Sequence, residues 1–298
     1  MSQSIRIVKD NIVEKGMQVL TLGSIFTLVF IAIGLFYKSL PILTSQPLSE
    51  VLFSSEWFPL KSKFGFWPFI IGTLTVTGLA IVIAVPLCLL SAIYLSEYAP
   101  KKVIAFVNPL IDILSGIPSV IFGVWGIITI VPLIKNYIGP FFGHTTSGYS
   151  VLAGGIVLAI MVFPIIIHVL LGVFATIHQD LRNASLSLGA TKWQTIKKVV
   201  LRKAAPGIVS AIVLGLSRAF GETLAVLLVV GNVAKLPHSL FDPAYPIPAL
   251  IANNYGETLS IPLYDSAMML ASFILFIIVL IFNIISRVIL KRLEKNSL

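Results

Sequence analysis

The chain has 298 residues, of which 57% are hydrophobic and 11% charged, with a mean hydropathy of +1.00. A water-soluble domain carries about 25% charged residues, so a soluble enzyme and a disordered tail are both excluded, and lipid is the relevant solvent. The formal net charge of +9 comes from Lys and Arg spread along the chain without any nucleic-acid-reading pattern, so no nucleic-acid partner is predicted.

A bilayer crossing needs about 20 apolar residues. Six runs qualify, at about 17 to 37, 68 to 95, 103 to 134, 150 to 175, 206 to 234 and 263 to 290. The first follows Arg6, Lys9 and Lys15 but lacks a small-residue cleavage site, so it is expected to stay as a span rather than be removed as a signal peptide. Pro86, Pro109, Pro118, Pro132 and Pro164 each remove a backbone donor that water cannot replace at membrane depth. In the long third run, Ser115-Gly116-Ile117-Pro118-Ser119 fits either an ordinary kink or a break that lines a pathway.

Two connectors, about 38 to 67 and 235 to 262, are rich in turn formers, the second holding Pro237, Pro243, Pro246, Pro248 and Pro262. They read as ordered connectors, with docking of an external partner as a further role. Of the 21 Lys and Arg, 15 fall on the side of the termini and 5 on the other, with Arg218 inside a span; this split predicts cytoplasmic termini. Cys88, the lone cysteine, lies in an apolar run and reads as a packing residue. No cofactor and no metal site are predicted.

The most informative charges are Arg218 and Glu222, in the fifth run within Gly215-Leu216-Ser217-Arg218-Ala219-Phe220-Gly221-Glu222-Thr223. At the bilayer centre a charge costs about 2.5 to 3.5 kcal/mol on insertion scales, so both groups need partners or water. A continuous helix would put the two on one face. That placement fits either an intrahelical ion pair or a cationic site for an anion crossing the membrane, with the guanidinium offering a planar fork to an oxyanion. Ser217, Gly221 and Ala225 form one stripe of small residues and Ala211, Gly215 and Ala219 a second, with the charges between them; Ile212, Val213, Leu216, Phe220, Leu224 and Leu227 are expected to point the other way. The small-residue face is expected to meet another helix. Asp112 and His168 are weaker candidates, an interfacial acid and a His that is either a packing residue or a proton relay.

The segment after the fourth run predicts two short amphipathic helices. Leu181, Ala184 and Leu188 share a face, Gly189 ends the first helix, and Thr191 with Gln194 forms a capping-box pattern that starts the second. Trp193, Ile196 and Val200 make the second apolar face, opposite Lys198 and Arg202. Such a pair either rests on anionic lipid or docks into a groove of a cytoplasmic protein.

Asn183-Ala184-Ser185 followed by Gly189-Ala190 resembles the Glu-Ala-Ala…Gly coupling signature of ABC importer permeases, with Asn183 where Glu is preferred and Leu201-Arg202 where Leu-Pro is common. Within that family, residues about 70 to 290 resemble the PstC-type permease subunits of phosphate importers. The supporting segments are Tyr94-Leu95-Ser96-Glu97-Tyr98-Ala99-Pro100, residues 116 to 126, and residues 214 to 226.

The resemblance implies an all-α membrane protein with six transmembrane helices and a type I ABC importer permease fold. Residues 1–67 would supply the N-terminal cytoplasmic segment, the first span and an outer loop; residues 68–298 would form a five-helix core with coupling helices at about 178–203. It implies a bacterial inner-membrane phosphate permease, with Arg218, Glu222, Ser217 and Thr223 on the substrate pathway and Ala184, Gly189, Ala190 and Trp193 coupled to the ATPase. The implied partners are an ATP-binding subunit dimer, a second permease of the PstA type, an external phosphate-binding protein and membrane lipid. The chain has no Gly-x-x-x-x-Gly-Lys-Ser/Thr loop, so it is not expected to be an enzyme and ATP hydrolysis falls to a partner. A permease for another oxyanion and a proton-coupled secondary transporter remain as alternatives.

Overall fold

The computed structural model describes residues 3–256 and 262–297. In chain order they form α1 (Gln3–Ser45), α2 (Leu48–Phe53), a hairpin of β1 (Trp57–Phe58) and β2 (Lys63–Phe64), α3 (Trp67–Tyr98), α4 (Lys101–Gly116), α5 (Ser119–Phe141) and α6 (Val151–Ala175). They continue as α7 (Gln179–Ser187), α8 (Lys192–Phe220), α9 (Leu224–Val229), α10 (Ile247–Asn254) and α11 (Pro262–Ser297). Six helices are long and apolar enough to cross a membrane: Asn11–Ser45 within α1, then α3, α5, α6, α8, and Leu263–Leu293 within α11. An even number of crossings returns the chain to its starting end, which also carries the α3–α4 junction and α7.

Two of the predicted spans are redrawn. The third run is two helices, α4 and α5, because Ile117 (ψ 128°) and Pro118 (ψ 140°) are extended between them. Proline disfavours the helical conformation of the residue before it, so the break occurs at Ile117–Pro118 and the crossing begins at Ser119. The fifth crossing starts at Lys192 rather than near 206, and it stops at Phe220. There the N–H of Ala225, which a continuous helix would give to the Gly221 carbonyl, is taken at 3.1 Å by Glu222 Oε1, a side chain competing with the helical ladder.

The α6 helix lies between α3 and α8. A Cβ on Gly155 would stand 2.6 Å from a Leu79 methyl, and one on Gly215 would stand 2.6 Å from Ile166. Lipid tails are as apolar as the side chains, so helices in a bilayer hold together by close van der Waals approach, which small residues permit. Cys88 is fully buried in this core, its thiol donating to the Phe163 carbonyl at 3.5 Å. At the far end of α6, the N–H groups of Val151 and Leu152 donate to the carbonyls of Asp242 and Leu240 at 2.9 and 2.8 Å, so the connector supplies partners for an otherwise open helix start. Residues 257–261 of that connector lie outside the described residues.

The end of the bundle away from the termini is closed by aromatic rings. The Trp57 ring lies 4.7 Å from Phe69, 5.4 Å from Phe66, 5.5 Å from Phe64 and 6.1 Å from Tyr264, all edge-to-face, the arrangement that ring quadrupoles favour. The hairpin that presents Trp57 pairs it with Phe64 and turns through Ser62 at φ +53°.

Candidate functional site

Arg218 occupies the last turn of α8, where a cation is stabilised by the carbonyl end of the helix dipole. It is exposed, and among the described residues no ion pair or hydrogen bond engages its side chain. Glu222 lies beyond the helix end, buried, and caps the first turn of α9 through Ala225. The two therefore do not share a helix face and do not pair. The expectation of a continuous charged face fails because the helix ends at Phe220 and a new one starts at Leu224, where the Glu222 carboxylate accepts from the otherwise open Ala225 N–H.

The small-residue stripes divide in the same way. Ala211, Gly215 and Ala219 are buried, with Gly215 seated against Ile166 and Val162 of α6. Of the other stripe, Gly221 is exposed beside Arg218, Ser217 is half-buried and Ala225 is fully buried; Ser217 borders a cavity of about 240 Å³ with Ser210, Asn283, Ser286 and Arg287. Thr223 is half-buried, its hydroxyl donating to the Gly221 carbonyl at 3.4 Å. Phe220, expected to point away from the small residues, is buried against α11, its ring 4.9 Å from Phe282, whereas Gly215 of the small-residue stripe is seated on α6. What remains outward is a guanidinium with no partner among the described residues at a helix discontinuity, a group that within a membrane needs water or a partner subunit.

At the termini end, α7 is terminated by Gly189, two residues past its end, whose φ of +83° is a conformation that glycine adopts without a Cβ clash. The Thr191 hydroxyl then accepts from Gln194 N–H at 3.3 Å while Gln194 Oε1 accepts from Thr191 N–H at 2.9 Å, so the capping box read from the sequence is present. The helix it starts is not a separate short one: it continues without interruption into the fifth crossing, with Pro206 inside it. Ile196 and Val200 are buried, whereas Leu188 is 89% and Trp193 51% exposed, and Leu181 and Ala184 also face outward. Ala190 is half-buried in the turn between the helices. Large apolar side chains thus project from the end of the bundle, as a docking helix requires.

An ion pair that sequence reasoning missed stands directly behind this surface. Arg182 Nε lies 3.1 and 3.3 Å from the two carboxylate oxygens of Glu97, and Nη2 lies 2.7 Å from Oε1. Nη1 donates to the Ile177 carbonyl at 2.5 Å and Nη2 to the Phe174 carbonyl at 3.2 Å. The partners are 85 residues apart, so no local spacing in the sequence joins them. Elsewhere, Asp112 and His168 are exposed and meet at 3.7 Å between α4 and α6.

Residues 84–296 match the family described as "Binding-protein-dependent transport system inner membrane component". The chain is 36% identical over 287 residues to the phosphate transport system permease protein PstC of Xylella fastidiosa, covering 92% of this chain and 88% of that one. It is 38% identical over 260 residues to the PstC of Pasteurella multocida, covering 83% and 81%. Among solved structures, a chain of a bacterial alginate ABC transporter in complex with its periplasmic protein superposes with a TM-score of 0.62 at 18% identity, covering 96% of this chain and 99% of that one. That likeness shows the type I ABC importer permease fold, and the six apolar helices make the protein a multi-pass membrane protein. With the family match spanning more than half its length, the chain belongs to the binding-protein-dependent transport system inner membrane components.

Proposed function

We propose that the chain is the transmembrane permease subunit of an ATP-driven phosphate importer, forming the translocation pathway with a second permease of the PstA type. The single observation that carries the reading is the relationship to phosphate permeases over nearly the whole chain. It is supported by a free guanidinium placed where the fifth crossing breaks. In this reading Arg218 meets the oxyanion through its planar fork. Ser217 and Thr223 offer hydroxyl groups nearby, and Glu222 holds the break in shape.

Residues 68–298 act as the five-helix core, and residues 1–67 add a first span and an outer loop. The termini lie in the cytoplasm, as the Lys and Arg distribution favours. A dimer of ATP-binding subunits engages the segment at about 178–203 through Ala184, Gly189, Ala190 and Trp193, and an external phosphate-binding protein delivers substrate at the opposite end.

The test is radiolabelled phosphate uptake by the intact complex in proteoliposomes, with sulfate and molybdate as competitors. ATP-dependent uptake that neither competitor suppresses supports the reading. Uptake by this chain alone, driven by a proton gradient without ATP, would replace it with secondary transport.

A further inference from the structure

Arg182 is the sole buried residue of α7. Its side chain is 11% exposed and that of Glu97 is 9% exposed. The guanidinium joins three elements: the last turn of α3 through Glu97, the C-terminal end of α6 and the turn that follows it through the carbonyls of Phe174 and Ile177, and α7 itself. A guanidinium is suited to this, since one rigid plane carries donors in several directions.

Other support for α7 is slight. Beside the pair a cleft of about 820 Å³ opens between α7 and the bundle, lined by His178, Gln179, Leu186 and Lys192 among others. The Ser185 and Thr195 hydroxyls meet at 2.9 Å, and Lys192 Nζ stands 4.5 Å over the Tyr98 ring. The exposed Leu188 and Trp193 add nothing on the bundle side.

We propose that Arg182 and Glu97 are a positioning pair that makes α7 move as one body with the adjoining ends of α3 and α6, so that a force on α7 reaches the helices packed against α8. This rests on the reading of residues 178–203 as the element that engages the ATPase. A buried ion pair is weak evidence for stability, and fixing register or a switch is its best-attested use. Here the register is that of α7 on two crossing helices.

The test uses the intact complex carrying a transport-competent Cys88→Ala background. Spin labels at Ser96→Cys and Ser187→Cys report the spacing of α3 and α7 in nucleotide-free and ATP-trapped states. The expected result is one narrow distance distribution common to both states, which broadens in the double variant Glu97→Gln/Arg182→Gln. In that variant, phosphate carried per ATP hydrolysed is expected to fall about tenfold, within the usual range of coupling between sites. Purely structural damage would instead lower transport and hydrolysis in step.

A distance that changes between states with the native pair present, or an unaltered transport-to-hydrolysis ratio in the double variant, overturns the proposal. If the double variant does not assemble, the labels on the native pair still decide. Protection of Leu188→Cys from maleimide by the ATPase is a separate arm: its absence would remove the coupling reading, while a constant α3–α7 distance would leave the rigid link standing.

Discussion

Arg218 and Glu222 stand on either side of a break in the fifth crossing, the guanidinium outward at the end of α8 and the carboxylate buried over the first turn of α9. The carboxylate shapes the backbone that displays the arginine, and it does so without neutralising it. Each residue therefore has its own separable test.

Arg218→Ala is expected to abolish phosphate uptake in a complex that still assembles, while Arg218→Lys keeps at most part of it, because an ammonium cannot reproduce the bidentate fork. Initial uptake rates in proteoliposomes measure this. Normal uptake in the alanine variant would remove Arg218 from the pathway.

Glu222→Ala removes the acceptor for Ala225 N–H and is expected to cost about 1 kcal/mol, the usual loss for a helix cap. Glu222→Gln keeps a carbonyl oxygen at that place and should unfold close to the wild type. Thermal unfolding of the purified complex distinguishes them, and equal melting of the two variants would show that the cap is not what Glu222 supplies.

Gly189→Pro should uncouple hydrolysis from transport, because proline holds φ near −65° and the native φ here is +83°. The quantity to follow is phosphate transported per ATP. An unchanged ratio would mean that the α7–α8 junction takes no part in coupling.

Trp193→Ala is expected to leave folding of the chain nearly intact, since half of the side chain is exposed. Truncating a large aromatic anchor commonly costs about 2 kcal/mol or more at an interface, about 30-fold in affinity. Binding of the ATPase subunits to detergent-solubilised permease reads this out, and wild-type affinity would assign the indole to lipid instead.

The crossings were legible because an unbroken apolar run of about 20 residues matches the thickness of a bilayer and little else in a folded chain. The Thr191–Gln194 box was legible because its two partners are three residues apart. The break at residues 221–223 was not. No proline marks it, and neither Gly221 nor the Glu222–Ala225 spacing, itself three residues long, distinguishes a break from a continuous apolar helix. Pro118, by contrast, marked the α4–α5 break in the sequence itself. The burial of Phe220 rests on Phe282, and the Arg182–Glu97 contact on two segments 85 residues apart; neither partner is predictable from local periodicity.

The aromatic seal around Trp57 has a consequence for biogenesis. Its rings come from the hairpin, from the start of α3 and, with Tyr264, from the last crossing. A ribosome delivers Trp57 long before Tyr264, so the nascent chain carries an incomplete ring cluster until its final helix inserts. Chains cut short before that helix should therefore leave the rings partly uncovered and aggregate more readily than the full-length chain.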